Sequence, residues 1–181
     1  HENRKYAKER GLEIPEKLYL TDMFGYDSRL HGKAAGYFNG QDGQGVYINM
    51  DGISSVDWLF SECLYHEMGH LTDYRRGTDG GLGGYLSGQE SQKVGEYIGD
   101  ERAKYDVTFD DGSILTTQEI TDCIREYATR DNQEFVAEVY AHLMLGNIVQ
   151  DTQGYYHFAN DKSYLNSTHH ESLQKVMRFY N

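Results

Sequence analysis

The chain has 181 residues with a formal net charge of −12, and aromatic residues make up 13% of it. This length is enough for one domain to bury a core, and the aromatic content is unlike that of a disordered chain. The acidic charge argues against a basic nucleic-acid-binding face, and no apolar run approaches the length of a membrane span. We therefore expect a single domain over residues 1–181 and a monomer, with residues 1–30 as a peripheral N-terminal segment.

The N-terminal half of the sequence predicts strands followed by one long helix. Three strand candidates follow one another, at residues 18–20, 34–38 and 46–50. The turn-rich residues 39–45 are typical of a hairpin connection. Apolar residues at helical spacing predict a helix from about residue 56 to residue 74 or 76. The glycine-rich residues 77–92 predict a loop.

The C-terminal half predicts three helices and a small hairpin. Residues 93–105 are expected to be helical or irregular, and the segments flanking Asp110-Asp111-Gly112 are expected to pair as a hairpin. Thr116 and Glu119 form a capping box, which predicts a helix to about residue 128. Two further helices are expected, one from about residue 133 to Gly146 and one from residue 167 or 168 to residue 180.

The predicted long helix contains the motif His66-Glu67-Met68-Gly69-His70. Two histidines four residues apart share one helix face, roughly 6 Å apart along the axis, so both imidazoles can reach one zinc ion. The glutamate beside the first histidine can hold a water molecule and accept its proton. The alternative is a helix with two surface histidines and a chance glutamate.

A catalytic zinc site needs a third protein ligand and an open position. The position six residues after His70, where a third histidine would stand, is Arg76, which excludes that type of site. Glu134 and Glu138 share one face of an otherwise apolar helix, and such carboxylates are costly to bury unless paired or metal-bound. We expect Glu134 to be the third ligand; the alternative is a solvated acidic stripe.

Two carboxylates are candidates for supporting roles around the ligands. Glu138 lies one turn beyond Glu134 and could accept a hydrogen bond from a ligand histidine, most plausibly His66, and so fix its tautomer. Asp73, three residues beyond His70, is the second candidate. Its alternative role is an ordinary helix or loop hydrogen bond.

The segments His66 to Asp73 and Tyr127 to Glu138 together resemble the zinc-protease domain of anthrax lethal factor and the related secreted Pro-Pro endopeptidases. In that family a tyrosine lies seven residues before the ligand glutamate, and Tyr127 and Glu134 have this spacing. The glutamate is followed by a matching phenylalanine, alanine and second glutamate, at Phe135, Ala137 and Glu138. The resemblance covers residues 34–181, and residues 77–92 are particular to this chain.

The resemblance implies an α+β, zincin-like metallopeptidase fold, in which a small twisted sheet accompanies an active-site helix and a glutamate-ligand helix. It implies a zinc endopeptidase that acts on a peptide or protein substrate, with Tyr127 donating a hydrogen bond to the oxyanion. The strand before the motif helix would bind the substrate by strand addition, through Ala35, Gly36 and Tyr37. The family also implies a secreted or extracellular, toxin-like protein, whose targeting signal would lie outside this chain.

Two other functions remain open. A catalytically silent zincin-like docking domain of a toxin or secreted assembly would be expected to carry a damaged motif. A structural zinc protein would need a fourth protein ligand, for which the candidates are His142, His157, His169 and His170. Cys63 and Cys123 could form one disulfide or remain two buried thiols.

Overall fold

The computed structural model describes residues 17–21, 36–39, 45–49, 57–159 and 167–181. The chain divides into two compact units, residues 1–86 and residues 87–181. The described residues combine helices with small sheets, which is compatible with the expected α+β class. The assignment of residues 1–181 to a single zinc metallopeptidase domain stays a prediction. No helix in the described part of the chain is both long and apolar enough to cross a membrane.

The first unit contains a three-stranded sheet with the order β1-β3-β2. Its strands are β1 (Lys17–Thr21), β2 (Gly36–Asn39) and β3 (Gly45–Asn49). β1 is parallel to β3 and β2 is antiparallel to it, which confirms the three predicted strands. Among the described residues β2 pairs with β3 alone, so β2 is an edge strand of this sheet. Ala35, which belongs to the expected substrate strand, lies outside the described residues.

The motif helix α1 (Asp57–Asp79) packs against β2 and β3. The side chains of Val46 and Ile48 point to one face of the sheet because they are two residues apart in a strand. Both are fully buried and cluster with Cys63 of α1, and Phe38 and Leu64 pack on the edge of this cluster. Apolar contact between sheet and helix thus fixes the part of α1 that carries the motif.

Helix α1 ends at Asp79, three residues beyond Arg76, where the later of the two predicted ends lies. The predicted loop over residues 77–92 is therefore wrong for residues 77–79, which are helical. Gly77 lies inside the helix, and the chain leaves it through Gly80 and Gly81. The amide of Gly80 still bonds the carbonyl of Arg76 at 3.1 Å, and Gly81 has a φ of 81°, a conformation that favours glycine. The glycines further along, rather than Gly77, terminate the helix.

The second unit begins with a 3₁₀ turn (Ser87–Gln89) and two short hairpins. The first pairs β4 (Gly95–Ile98) with β5 (Glu101–Lys104), so the expected helix or irregular segment at residues 93–105 is wrong. Its two-residue turn is Gly99-Asp100, with a φ of 65° at Gly99, which suits a tight hairpin. The second pairs β6 (Val107–Thr108) with β7 (Ile114–Leu115), as predicted.

Three helices and a last hairpin complete the second unit. They are α2 (Thr117–Cys123), a 3₁₀ turn (Glu126–Thr129), α3 (Asn132–Met144), β8 (Ile148–Gln150), β9 (Tyr156–Phe158) and α4 (Ser167–Tyr180). The capping box of Thr116 and Glu119 is present, with both hydrogen bonds formed. The predicted helix to residue 128 is too long, because α2 stops at Cys123 and the chain turns before Tyr127.

A single apolar cluster holds this unit together. Phe135 and Val139 are one turn apart on α3 and are buried in it. They pack with residues of α2, α4 and the hairpins, including Leu115, Ile120, Leu173, Val176 and Met177. Burying each of these large side chains contributes about 1.5–3 kcal/mol. The apolar face therefore holds α3 in one rotational setting, which also sets the direction of its glutamates.

Candidate metal centre

The two histidines of the motif face each other on α1. His66 Nε2 and His70 Nε2 are 3.1 Å apart, and the two rings meet at 87° with their centroids 4.8 Å apart. Two nitrogens bound tetrahedrally at about 2.05 Å from one zinc ion are about 3.3 Å apart. The pair therefore has the nitrogen spacing that zinc ligation requires, produced by the four-residue interval on a regular helix.

Glu67 is a buried residue of α1 that packs against the edge strand β2. The residue is 5% exposed. A Cβ atom added at Gly36 of β2 would lie 3.1 Å from Glu67 Cγ and 2.7 Å from Cys63 Sγ. The backbone of β2 therefore passes across α1 at the position of Glu67, and only glycine leaves room for this approach.

Both cysteines are free thiols in the structure. Burial raises the pKa of Cys63 to about 12, and the nearby carboxylates of Glu67 and Glu62 add to the effect. Burial likewise raises the pKa of Cys123 to about 12. Both residues are therefore protonated thiols at neutral pH.

In the second unit, the first turn of α3 presents Glu134. Asp131 is the N-cap, and its Oδ1 accepts a hydrogen bond from the Glu134 amide at 2.9 Å. The next residue, Asn132, is buried, and both polar atoms of its side chain form hydrogen bonds. Its Oδ1 accepts from the Val94 amide at 3.0 Å, and its Nδ2 donates to the Gln92 carbonyl at 2.9 Å. These bonds anchor the start of α3 to the segment before β4 and so fix the backbone that carries Glu134.

The side chains of Tyr127 and Arg130 converge on Glu134. The Tyr127 hydroxyl donates to Glu134 Oε1 at 3.1 Å and accepts from Arg130 Nη1 at 2.8 Å. The Arg130 guanidinium also lies 3.7 Å from Glu134 Oε1 and stacks between the rings of Tyr127 and Tyr97, at 5.6 Å and 5.3 Å. Arg130 is not among the residues predicted from the sequence, although its place between Tyr127 and Glu134, three residues after one and four before the other, is a usable signal.

The phenol of Tyr127 stays protonated at neutral pH. Burial is the largest cause of its high pKa, and the neighbouring carboxylate of Glu134 raises it further, while Arg130 opposes the increase. The net effect raises the pKa of Tyr127 to about 12. A protonated phenol can donate a hydrogen bond to a developing negative charge.

The two expected supporting carboxylates are both buried. Glu138 is 2% exposed and forms an ion pair with Arg125 Nε, a partner that the sequence did not predict. Asp73 is 4% exposed, and its backbone carbonyl accepts from the Leu86 amide at 3.2 Å. The hydrogen bond from His66 to Glu138 and the supporting role of Asp73 stay predictions.

His66, His70 and Glu134 form a group that could hold a metal ion. Each offers one ligand atom, and these atoms all lie within 4.8 Å of one another. Of the histidines considered as a fourth ligand, His157 instead bonds Asp151 in the β8–β9 hairpin at 2.7 Å. His142 lies in the last turn of α3. Among the described residues the group therefore has three protein donors, the number that leaves an open position at a catalytic zinc site.

A scan of protein-family models and searches of curated proteins and solved structures found no match to this chain.

Proposed function

We propose that the protein is a zinc-dependent endopeptidase with a zincin-like fold, similar to the lethal-factor group. The observation that carries the proposal is the group of His66, His70 and Glu134, with ligand atoms within 4.8 Å of one another. Two imidazoles and one carboxylate are a donor set that zinc uses in hydrolases. A zinc ion held by these residues would polarise the scissile carbonyl and make water a better nucleophile.

Glu67 is the general base of this proposal. It is the neighbour of a ligand histidine in the chain, so its carboxylate is held close to the position of the attacking water. Its burial leaves few positions open to the side chain. Glu67 takes the proton from the attacking water and later delivers it to the leaving amine.

Tyr127 is the proposed donor to the oxyanion. Its hydroxyl bonds a carboxylate oxygen of the ligand Glu134, so it is held close to the reacting group. Because the single phenol proton is donated to Glu134 in this structure, the hydroxyl would turn from that carboxylate to the oxyanion when the negative charge develops. Because the pKa of this phenol is about 12, the donor proton is retained throughout the neutral range.

The substrate is an extended peptide segment of a peptide or protein. β2 pairs with β3 on one side, and among the described residues no strand occupies its other side. A peptide that bonds to this free edge would run across α1 beside Glu67, because Gly36 of β2 packs there. A secreted, toxin-like protein is part of the same proposal and rests on the family resemblance alone.

Replacing Glu67 by Gln tests the proposal most simply. Glu67→Gln should retain one zinc ion and lose peptide cleavage, because the amide cannot accept the water proton at neutral pH. Glu62→Gln, a substitution at a half-buried position of the same helix, is the matched control and should keep wild-type cleavage. Wild-type turnover by Glu67→Gln would contradict the mechanism. A zinc-loaded wild type that cleaves nothing in a peptide library would favour the docking domain.

A further inference from the structure

The glycine-rich segment after α1 folds back onto the helix that carries the motif. The Leu82 amide bonds the Gly77 carbonyl at 2.9 Å, and the Leu86 amide bonds the Asp73 carbonyl at 3.2 Å. Gly83 has a φ of 69°, which favours glycine over other residues. The segment therefore returns along α1 by nearly two helical turns.

Gly77 allows the returning chain to lie directly against the helix. A Cβ atom at this position would lie 1.9 Å from the carbonyl oxygen of Gly84 and 2.6 Å from the Leu86 amide nitrogen. Real side chains never come this close to backbone atoms, so only glycine is compatible with the observed path. The close approach delivers Tyr85, the residue between Gly84 and Leu86, to the same face of α1.

The Tyr85 ring packs on the imidazole of His70. The ring centroids are 6.2 Å apart and the planes cross at 83°, an edge-to-face arrangement within the favourable range for aromatic pairs. Tyr85 also meets Tyr74 at 5.4 Å and 78° and Phe38 of β2 at 6.3 Å and 86°. His70 and Tyr74 are one turn apart on α1, so Tyr85 covers a continuous strip of the helix face.

We propose that Tyr85 is a positioning residue for His70, and that residues 77–86 fold back in order to deliver it. An imidazole on a helix can turn about its Cβ–Cγ bond, and ligation requires one setting. The His70 ring contacts the His66 ring, with the centroids 4.8 Å apart, and it also contacts the Tyr85 ring. Together the two contacts restrict rotation of the His70 imidazole. This inference rests on the proposed function in one respect, that His70 is a zinc ligand.

Zinc affinity measured by chelator competition tests the positioning role. Tyr85→Leu keeps apolar bulk but removes the ring, and it should weaken zinc binding about 10- to 100-fold, as loss of ligand support does elsewhere. Tyr85→Phe keeps the ring and should stay within about twofold of wild type, because the contact is made by the ring. The matched control is Leu82→Ala, a substitution at an exposed position of the same loop, which should leave the affinity unchanged. Equal zinc affinity for Tyr85→Leu and wild type would overturn the proposal.

A second readout needs neither zinc nor catalysis. NMR relaxation of the His70 ring carbons is measured in the zinc-free protein. The imidazole should be rigid in wild type, Tyr85→Phe and Leu82→Ala, and more mobile in Tyr85→Leu. If wild type binds no zinc, the proposed function fails, while the relaxation data still decide whether Tyr85 restrains the ring. Equal ring order in wild type and Tyr85→Leu would contradict the positioning role.

Discussion

Replacement of Arg130 by Gln should lower kcat/KM by about tenfold. Arg130 Nη1 donates to the Tyr127 hydroxyl at 2.8 Å, and this bond helps to hold the phenol oxygen in place. Hydrogen bonds that involve a charged group contribute about 1.5–3 kcal/mol, and about 1.4 kcal/mol corresponds to a factor of ten. The Arg130 side chain is 36% exposed, so water weakens the bond and the lower end of the range applies.

A double-mutant cycle with Tyr127→Phe shows whether Arg130 acts through the phenol. Steady-state cleavage of one peptide is measured for wild type, both single variants and the double variant. Because the phenylalanine has no hydroxyl to hold, Arg130→Gln should have a smaller effect in that background, where only the 3.7 Å contact of Arg130 with Glu134 remains. Arg102→Gln is the control, since Arg102 also lies over the Tyr97 ring, at 6.0 Å. An equal loss of activity from Arg130→Gln in both backgrounds would refute the coupling.

Three further predictions concern stability and ligand placement. Gly36→Ala should lower the free energy of unfolding by about 1–3 kcal/mol in urea denaturation, because its Cβ would lie 2.7 Å from Cys63 Sγ; unchanged stability would contradict the close approach. Asp131→Ala should lower the free energy of unfolding by about 1 kcal/mol, because the helix loses its N-cap. It should also weaken zinc binding, since the cap accepts from the Glu134 amide, and Asp131→Ser should restore both the stability and the zinc affinity. Burial works to raise the pKa of Glu119, but hydrogen bonds from Thr116 and other groups lower it to about 2, from an ordinary value of 4.5. The ionised Glu119 carboxylate should therefore stabilise the fold fully above about pH 4.5 and progressively less as the pH falls to about 2. Glu119→Gln and wild type should differ less in unfolding free energy at pH 2 than at pH 6.

Elements with local signals could be predicted from the sequence. The capping box of Thr116 and Glu119 is satisfied within four residues, so its signal does not depend on the rest of the fold. The facing imidazoles of His66 and His70 follow from helix geometry alone. The sequence also predicts that Glu134 groups with His66 and His70, because a carboxylate on an apolar helix is costly to bury unless it is paired or metal-bound.

Features that composition and hydrophobic spacing do not encode could not be predicted in this way. The β4–β5 hairpin was missed because Tyr97 and Ile98 are both exposed, so these strands lack the alternation of buried and exposed residues that marks a strand. Gly77 looked like a helix terminator, but its role is to admit the backbone of Gly84. The approach depends on the backbone path between residues 77 and 84, which the run of glycines in the sequence does not specify.

The proposed zinc site requires His66, His70 and Glu134 to hold one zinc ion together. Zinc stoichiometry by native mass spectrometry, on wild type and on single alanine variants of these three residues, tests it most directly. We expect one zinc per wild-type chain and loss of bound zinc in each variant, with Glu101→Ala, a substitution at an exposed glutamate, retaining it. A wild type without zinc, or full zinc occupancy in Glu134→Ala, would contradict the claim.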